Sequence, residues 1–100
     1  MKTVYIAGKI TGLPDYQQKF RAAEIKLNEK GYKKVINPCC LPVNLDYEQY
    51  MPICFAMIDV ADTVYLLDNW EDSEGAKREV SYAMAKKKEI LYGDMEKKIL

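Results

Sequence analysis

The chain has no histidine among its 100 residues, which removes Ser-His and Cys-His catalytic pairs and the commonest metal ligand at once. Acid–base work is left to carboxylates, tyrosines and thiols. Cysteine is almost as scarce. Cys39, Cys40 and Cys54 form an odd count with no C-x-x-C spacing, so neither a disulfide framework nor a zinc site is expected, and no metal ligands are assigned. Long hydrophobic runs are missing too: nothing approaches the roughly 20 residues of a membrane span. Met1-Lys2 leads into a short strand-like run without a signal-peptide cleavage pattern, so a cytoplasmic location with no membrane partner is expected. Charge of one sign is also lacking. Lys plus Arg and Asp plus Glu are 15 each, which leaves no electrostatic footprint for a nucleic acid polymer and points to small-molecule ligands.

What is present is apolar material, 49% of the residues, enough for one domain spanning residues 1–100. Thr3 to Ala7 is a β-branched and aromatic run that stops at Gly8, and Gly8-Lys9-Ile10-Thr11-Gly12-Leu13-Pro14 reads as a loop. Asp15 can cap a helix from Tyr16 to Lys30, with Phe20, Ala23 and Leu27 at helical spacing and Gly31 as the stop. Val35 and Ile36 form a second strand ended by Asn37-Pro38, and Cys39 to Asp46 reads as an active-site loop. Asp46 caps a helix from Tyr47 to about Ala61, in which Pro52 argues for a break, a kink or a late start. Thr63 to Leu67 suits a central parallel strand, a third helix runs from about Ser73 to Lys87, and Glu89 to Tyr92 is a fourth strand. Such alternation implies an α/β domain with a mainly parallel sheet of about four to five strands and helices on both faces, and ligands at the strands' carboxyl ends.

Glu79 is the informative residue of the third helix. Its neighbours three and four positions away are Gly75, Ala76, Tyr82 and Ala83, so no base of its own helix can pair with it, whereas Glu74 has Lys77 and Arg78 at those spacings. Glu79 lies beside the apolar stripe Ala76, Val80, Ala83, whose small residues leave room for a cleft. A carboxylate held there is a candidate nucleophile; the plainer alternative is an exposed surface acid.

The pattern Ser73-x-Gly75-Ala76-x-x-Glu79 resembles the nucleoside 2-deoxyribosyltransferase family, with its nucleotide N-glycosidase branch and small DUF4406-type relatives. The resemblance extends over Tyr5-Ile6-Ala7-Gly8-Lys9-Ile10-Thr11-Gly12, Ile36-Asn37-Pro38, Asp62-Thr63-Val64-Tyr65-Leu66-Leu67 and Trp70. It implies a small flavodoxin- or Rossmann-like domain that cleaves or transfers the N-glycosidic bond of a nucleotide or deoxynucleotide through a covalent glycosyl-enzyme. The nucleophile falls on Glu79, and a tyrosine beside it falls on Tyr5. The family's partner acid falls on Cys54, where the expected aspartate is missing. A thiol is a weaker partner, so catalysis is weakened or the role has moved; Cys54 also reads as a small buried hydrophobe. Asp46, roughly 12 Å away along the helix, and Asp59, on another face, are not obvious substitutes.

For the substrate, Gly8, Lys9, Thr11 and Gly12 with Ser73 resemble a 5′-phosphate pocket, and Asn37, Trp70 and Gly75 complete the expected binding set. The plainer readings stand beside these: the glycines shape a turn, Ser73 caps a helix, and Trp70 covers a sheet edge. No cofactor is implied. A homodimer or higher homo-oligomer is expected from the small size, the apolar tail Gly93 to Leu100 and the resemblance. A nucleotide-binding protein of little catalytic power and an interaction module with a vestigial cleft are the competing functions.

Overall fold

The computed structural model describes residues 2–93, and the expectation for the tail after Gly93 lies outside them. Strands β1 (Thr3–Ala7), β2 (Lys34–Ile36), β3 (Thr63–Leu66) and β4 (Glu89–Tyr92) alternate with helices α1 (Tyr16–Glu29), α2 (Tyr47–Val60) and α3 (Glu74–Ala85). They form one parallel sheet in the order β2-β1-β3-β4, with Tyr5 beside Ile36 on one side and Val64 on the other. The chain leaves β1 first toward β2 and later returns to its other side as β3. That reversal opens a crevice at the carboxyl ends of β1 and β3.

The period of two along a strand decides which helix each residue meets. Val4 and Ile6 of β1, with Tyr65 and Leu67, pack on Phe20, Ala23 and Leu27 of α1. Tyr5 and Ala7, with Val64 and Leu66, face Cys54 and Ile58 of α2 and Val80 and Ala83 of α3. Helices therefore cover both faces, and the Tyr5 side is the one on which two helices meet.

Helices α1 and α2 begin at Tyr16 and Tyr47 as expected, and the differences lie in how α1 is capped and where the helices end. The Asp15 side chain makes no capping hydrogen bond; its backbone carbonyl accepts from Gln18 N and Lys19 N instead. Helix α1 ends at Glu29, and Gly31 makes the turn at φ +100°. Helix α2 neither breaks nor starts late at Pro52, but runs from Tyr47 through it. Pro52 and Glu48 are both exposed, so the carbonyl that a proline nitrogen cannot bond lies on the solvent side. Helix α3 stops at Ala85, short of Lys87, which takes a left-handed φ of 60° on the way to β4.

Candidate active site

Three elements deliver the central side chains. Helix α3 is capped by Ser73, whose Oγ accepts from Ala76 N at 3.0 Å, and its Ala76, Glu79, Val80 and Ala83 are all buried. Glu79 is 6% exposed. The Tyr5 hydroxyl, from the middle of β1, donates to Glu79 Oε2. Cys54 of α2, 1% exposed, places its thiol in hydrogen-bonding contact with both. Among the described residues no buried side-chain nitrogen or oxygen lacks a partner, and neither ion pair among them involves Glu79.

Electrostatics follow from that packing. Burial raises the Glu79 pKa from 4.5 to about 7, while the hydrogen bonds from Tyr5 and Cys54 pull it down by favouring the carboxylate. Burial, reinforced by the neighbouring Glu79 charge, pushes the Cys54 thiol up to about 12. Tyr5 is raised well above its ordinary value for the same two reasons, burial first. Near neutral pH the cluster therefore holds one titrating group, Glu79, between two groups that keep their protons.

Glu79 opens onto a cavity of about 180 Å³. One wall is Gly8, Ile10 and Thr11 after β1; another is Val43 and Leu45 with Tyr47, Tyr50 and Met51 of α2; the floor is Ser73, Gly75, Ala76 and Glu79. Among the described residues no lysine or arginine lines it. Gly8 is required by close packing, since a Cβ there would stand 2.5 Å from Leu67 Cδ1. Tyr50 braces the wall by donating its hydroxyl proton to the Pro38 carbonyl at 3.1 Å.

Of the residues expected from sequence to bind substrate, Gly8, Thr11, Ser73 and Gly75 line this cavity and four others do not. The Lys9 N–H, a candidate anion donor, is taken by Asn69 Oδ1 at 3.1 Å. Gly12 turns the exposed loop at φ +77° with nothing within 4 Å. Trp70 packs against the core on the Tyr5 face of the sheet. Asn37 accepts from Cys39 N at 2.9 Å and donates to Glu24 Oε1 at 3.0 Å, beside a separate open hollow that Arg21 and Cys40 also line. Tyr5 and Cys54 support Glu79 from behind without lining the cavity themselves.

Sequence reasoning passed over Tyr47, Tyr50 and Met51, although their helical spacing with Cys54 puts all four on one face of α2. Val43 and Leu45 come from a segment with no period to read. Among the described residues no group of three metal-ligating side chains is present, and no helix is long and apolar enough to cross a membrane.

A family profile described as "Domain of unknown function (DUF4406)" matches residues 2–92. No curated protein matches the chain. Among solved structures, a "2-desoxiribosyltransferase from Leishmania mexicana" superposes with a TM-score of 0.67 at 23% identity, covering 92% of this chain and 63% of that one. The chain thus spans less than two thirds of that protein, and what they demonstrably share is the fold, an α/β Rossmann-like arrangement around a parallel sheet.

Proposed function

The chain belongs to the DUF4406 family, and from that premise we propose that it cleaves the N-glycosidic bond of a nucleotide or deoxynucleotide, as hydrolase or base transferase, with Glu79 as nucleophile. The observation that carries this reading is a buried carboxyl, fixed by Tyr5 and opening onto a cavity at the crevice of the sheet. In such chemistry the carboxylate attacks the anomeric carbon, the base departs, and water or a second base releases the glycosyl-enzyme. With a pKa near 7, the carboxyl is substantially ionised at neutral pH. It is also desolvated enough to be reactive.

Tyr5 is a positioning residue, since it holds Oε2 and does not reach the cavity. On this reading the hydroxyls of Ser73 and Thr11, which line the cavity, take a 5′-phosphate. Ser73 Oγ accepts from Ala76 N and so keeps its own proton free to donate toward an anion at the start of α3. The aromatic and apolar side of the cavity, Tyr47, Tyr50 and Met51, suits the flat face of a base.

One observation favours a second reading, a protein that binds a nucleotide without turning it over: a thiol occupies the place where the resemblance expects a second carboxyl. Incubation with nucleoside and deoxynucleoside 5′-monophosphates, with chromatography for free base and mass spectrometry of the intact protein, separates the two. Free base together with a sugar adduct that is absent in Glu79→Gln supports the glycosidase. Calorimetric binding with neither base nor adduct supports the second reading, and no binding to any member of the panel refutes both.

A further inference from the structure

Breaking an N-glycosidic bond leaves its electron pair on the base, so a neutral base departs as an anion unless an acid protonates it. Retaining glycosidases place a second carboxyl about 5 to 5.5 Å from the nucleophile for that purpose. Here Glu79 is the one carboxyl among the described residues that line the cavity. Of the other acids of the neighbouring elements, Asp59 accepts the Tyr82 hydroxyl at 2.7 Å, Glu24 accepts from Asn37 and Glu74 pairs with Lys77 at 3.0 Å, while Asp46, Glu48, Asp68, Glu71 and Asp72 are exposed and do not line the cavity.

The remaining protons are no better placed. Tyr5 donates to Glu79 and, like Cys54, stands behind it. Tyr50 lines the cavity but gives its proton to the Pro38 carbonyl, and burial raises its pKa. The Tyr47 hydroxyl accepts from Arg78 at 3.2 Å and so keeps its own proton, but the side chain is 45% exposed, at the solvent edge of the cavity. Among the described residues that line it the cavity also has no cation to balance an ionised Glu79. Among the described residues the lining thus lacks a second carboxyl and a positive charge together.

Both deficits are met by one property of the substrate. Resting on the glycosidase reading above, we propose that this site takes nucleotides whose base is already a cationic ring, such as an N-ribosylpyridinium or a ring-alkylated purine. The Glu79 carboxylate bonds to C1′, the C1′–N bond breaks, and its electron pair cancels the positive charge of the ring. The base leaves neutral and no proton is required. Water then bonds to C1′, the bond from C1′ to Glu79 breaks to restore the carboxylate, and the surplus proton passes to solvent. A bound cationic ring also favours the ionised form of Glu79, so the substrate helps prepare its own nucleophile.

The test compares guanosine 5′-monophosphate with 7-methylguanosine 5′-monophosphate, which differ by the methyl group that makes the ring cationic, and adds an N-ribosylpyridinium 5′-monophosphate. Base release is followed by chromatography, with Glu79→Gln as background. Because general acid catalysis contributes about 10²–10⁴-fold, the two cationic substrates should exceed guanosine 5′-monophosphate by at least about 100-fold in kcat/KM. Values for the purine pair within about tenfold of each other would overturn the inference and leave the glycosidase standing. No release from any of the three, with no adduct, would overturn the glycosidase reading and the inference with it.

Discussion

Glu79 and Glu89 stand at opposite ends of the same sheet and titrate in opposite directions. Beside the carboxyl ends of β1 and β3, Glu79 is buried with no cation partner among the described residues, and desolvation drives its pKa from 4.5 to about 7. At the amino end Glu89 lies exposed, receiving Lys2 Nζ at 3.0 Å and Thr63 Oγ1 at 2.8 Å. Those bonds, and the Lys2 charge after them, hold its pKa below 4.5. Lys2 answers with a raised pKa, from the Glu89 hydrogen bond first. One end of the fold satisfies its charge, and the other holds a carboxyl at a cost. A carboxyl kept at a cost over a cavity fits the nucleophile's role proposed for it.

The largest effect expected from breaking this contrast is that of Glu79→Gln. Turnover should fall by on the order of 10⁴-fold or more, as for other nucleophiles, while circular dichroism stays that of wild type. Stability should move the other way. The folded pKa of Glu79 is raised, so its contribution is whole below pH 4.5 and is lost as pH rises toward 7. A difference of 2.5 units, from 4.5 to about 7, corresponds to about 3 kcal/mol. Denaturant titrations should show wild type weakening by roughly that amount between pH 4.5 and 7, and the variant not; a parallel decline in both would place the titrating group elsewhere.

Next in size is Cys54→Asp. The side chain is 1% exposed and touches Glu79, so a second carboxyl there shares one proton with the first, and ionising both is strongly disfavoured. The melting temperature should fall as pH rises above neutrality, by an amount on the order of 3–5 kcal/mol in stability. Because position 54 lies behind Glu79, base release from neutral substrates should not improve. An active, stable Cys54→Asp protein would mean instead that the family's partner acid acts from this place.

Tyr5→Phe should have a smaller effect. It removes the donor that favours the Glu79 carboxylate, so the Glu79 pKa should rise above about 7. A hydrogen bond to a charged group is worth roughly 1.5–3 kcal/mol, equivalent to about 1 to 2 pH units. The pH–rate profile should therefore keep its plateau and move its midpoint upward by that much. A lower plateau with an unmoved midpoint would show that Tyr5 does something other than hold the carboxyl.

How much of this was legible in the residues depends on the range of the interactions. Strand and helix positions follow from local periods, so the elements fall within a residue or two of their sequence positions, and the α/β layering follows from them. The apolar stripe of α3 likewise announced that Glu79 would face inward. Lys9 and Asn37 were expected to bind substrate, yet Asn69 holds the Lys9 backbone N–H and Glu24 holds the Asn37 side-chain amide through contacts no local pattern encodes. Val43 and Leu45 reach the cavity from an aperiodic loop. The wall they form was invisible for the same reason.

The smallest effect belongs to Glu89→Gln, and its direction completes the contrast. The folded pKa of Glu89 is lowered by Lys2 and Thr63, so whatever stability it contributes is present above its ordinary pKa of 4.5 and is lost as pH falls through the folded value. Solvent screens the pair, since the Lys2 and Glu89 side chains are 58% and 46% exposed at 3.0 Å. Only a slight change in melting temperature is therefore expected at pH 7, diminishing with added salt. In Glu89→Gln the decline below pH 4.5 should flatten while the decline from 4.5 toward 7 persists, and Glu79→Gln should do the reverse. Activity should be unaffected by the change at Glu89. A substantial loss of turnover in this variant would show that the two ends of the sheet are coupled, and the separation of a satisfied end from a strained one would no longer describe the molecule.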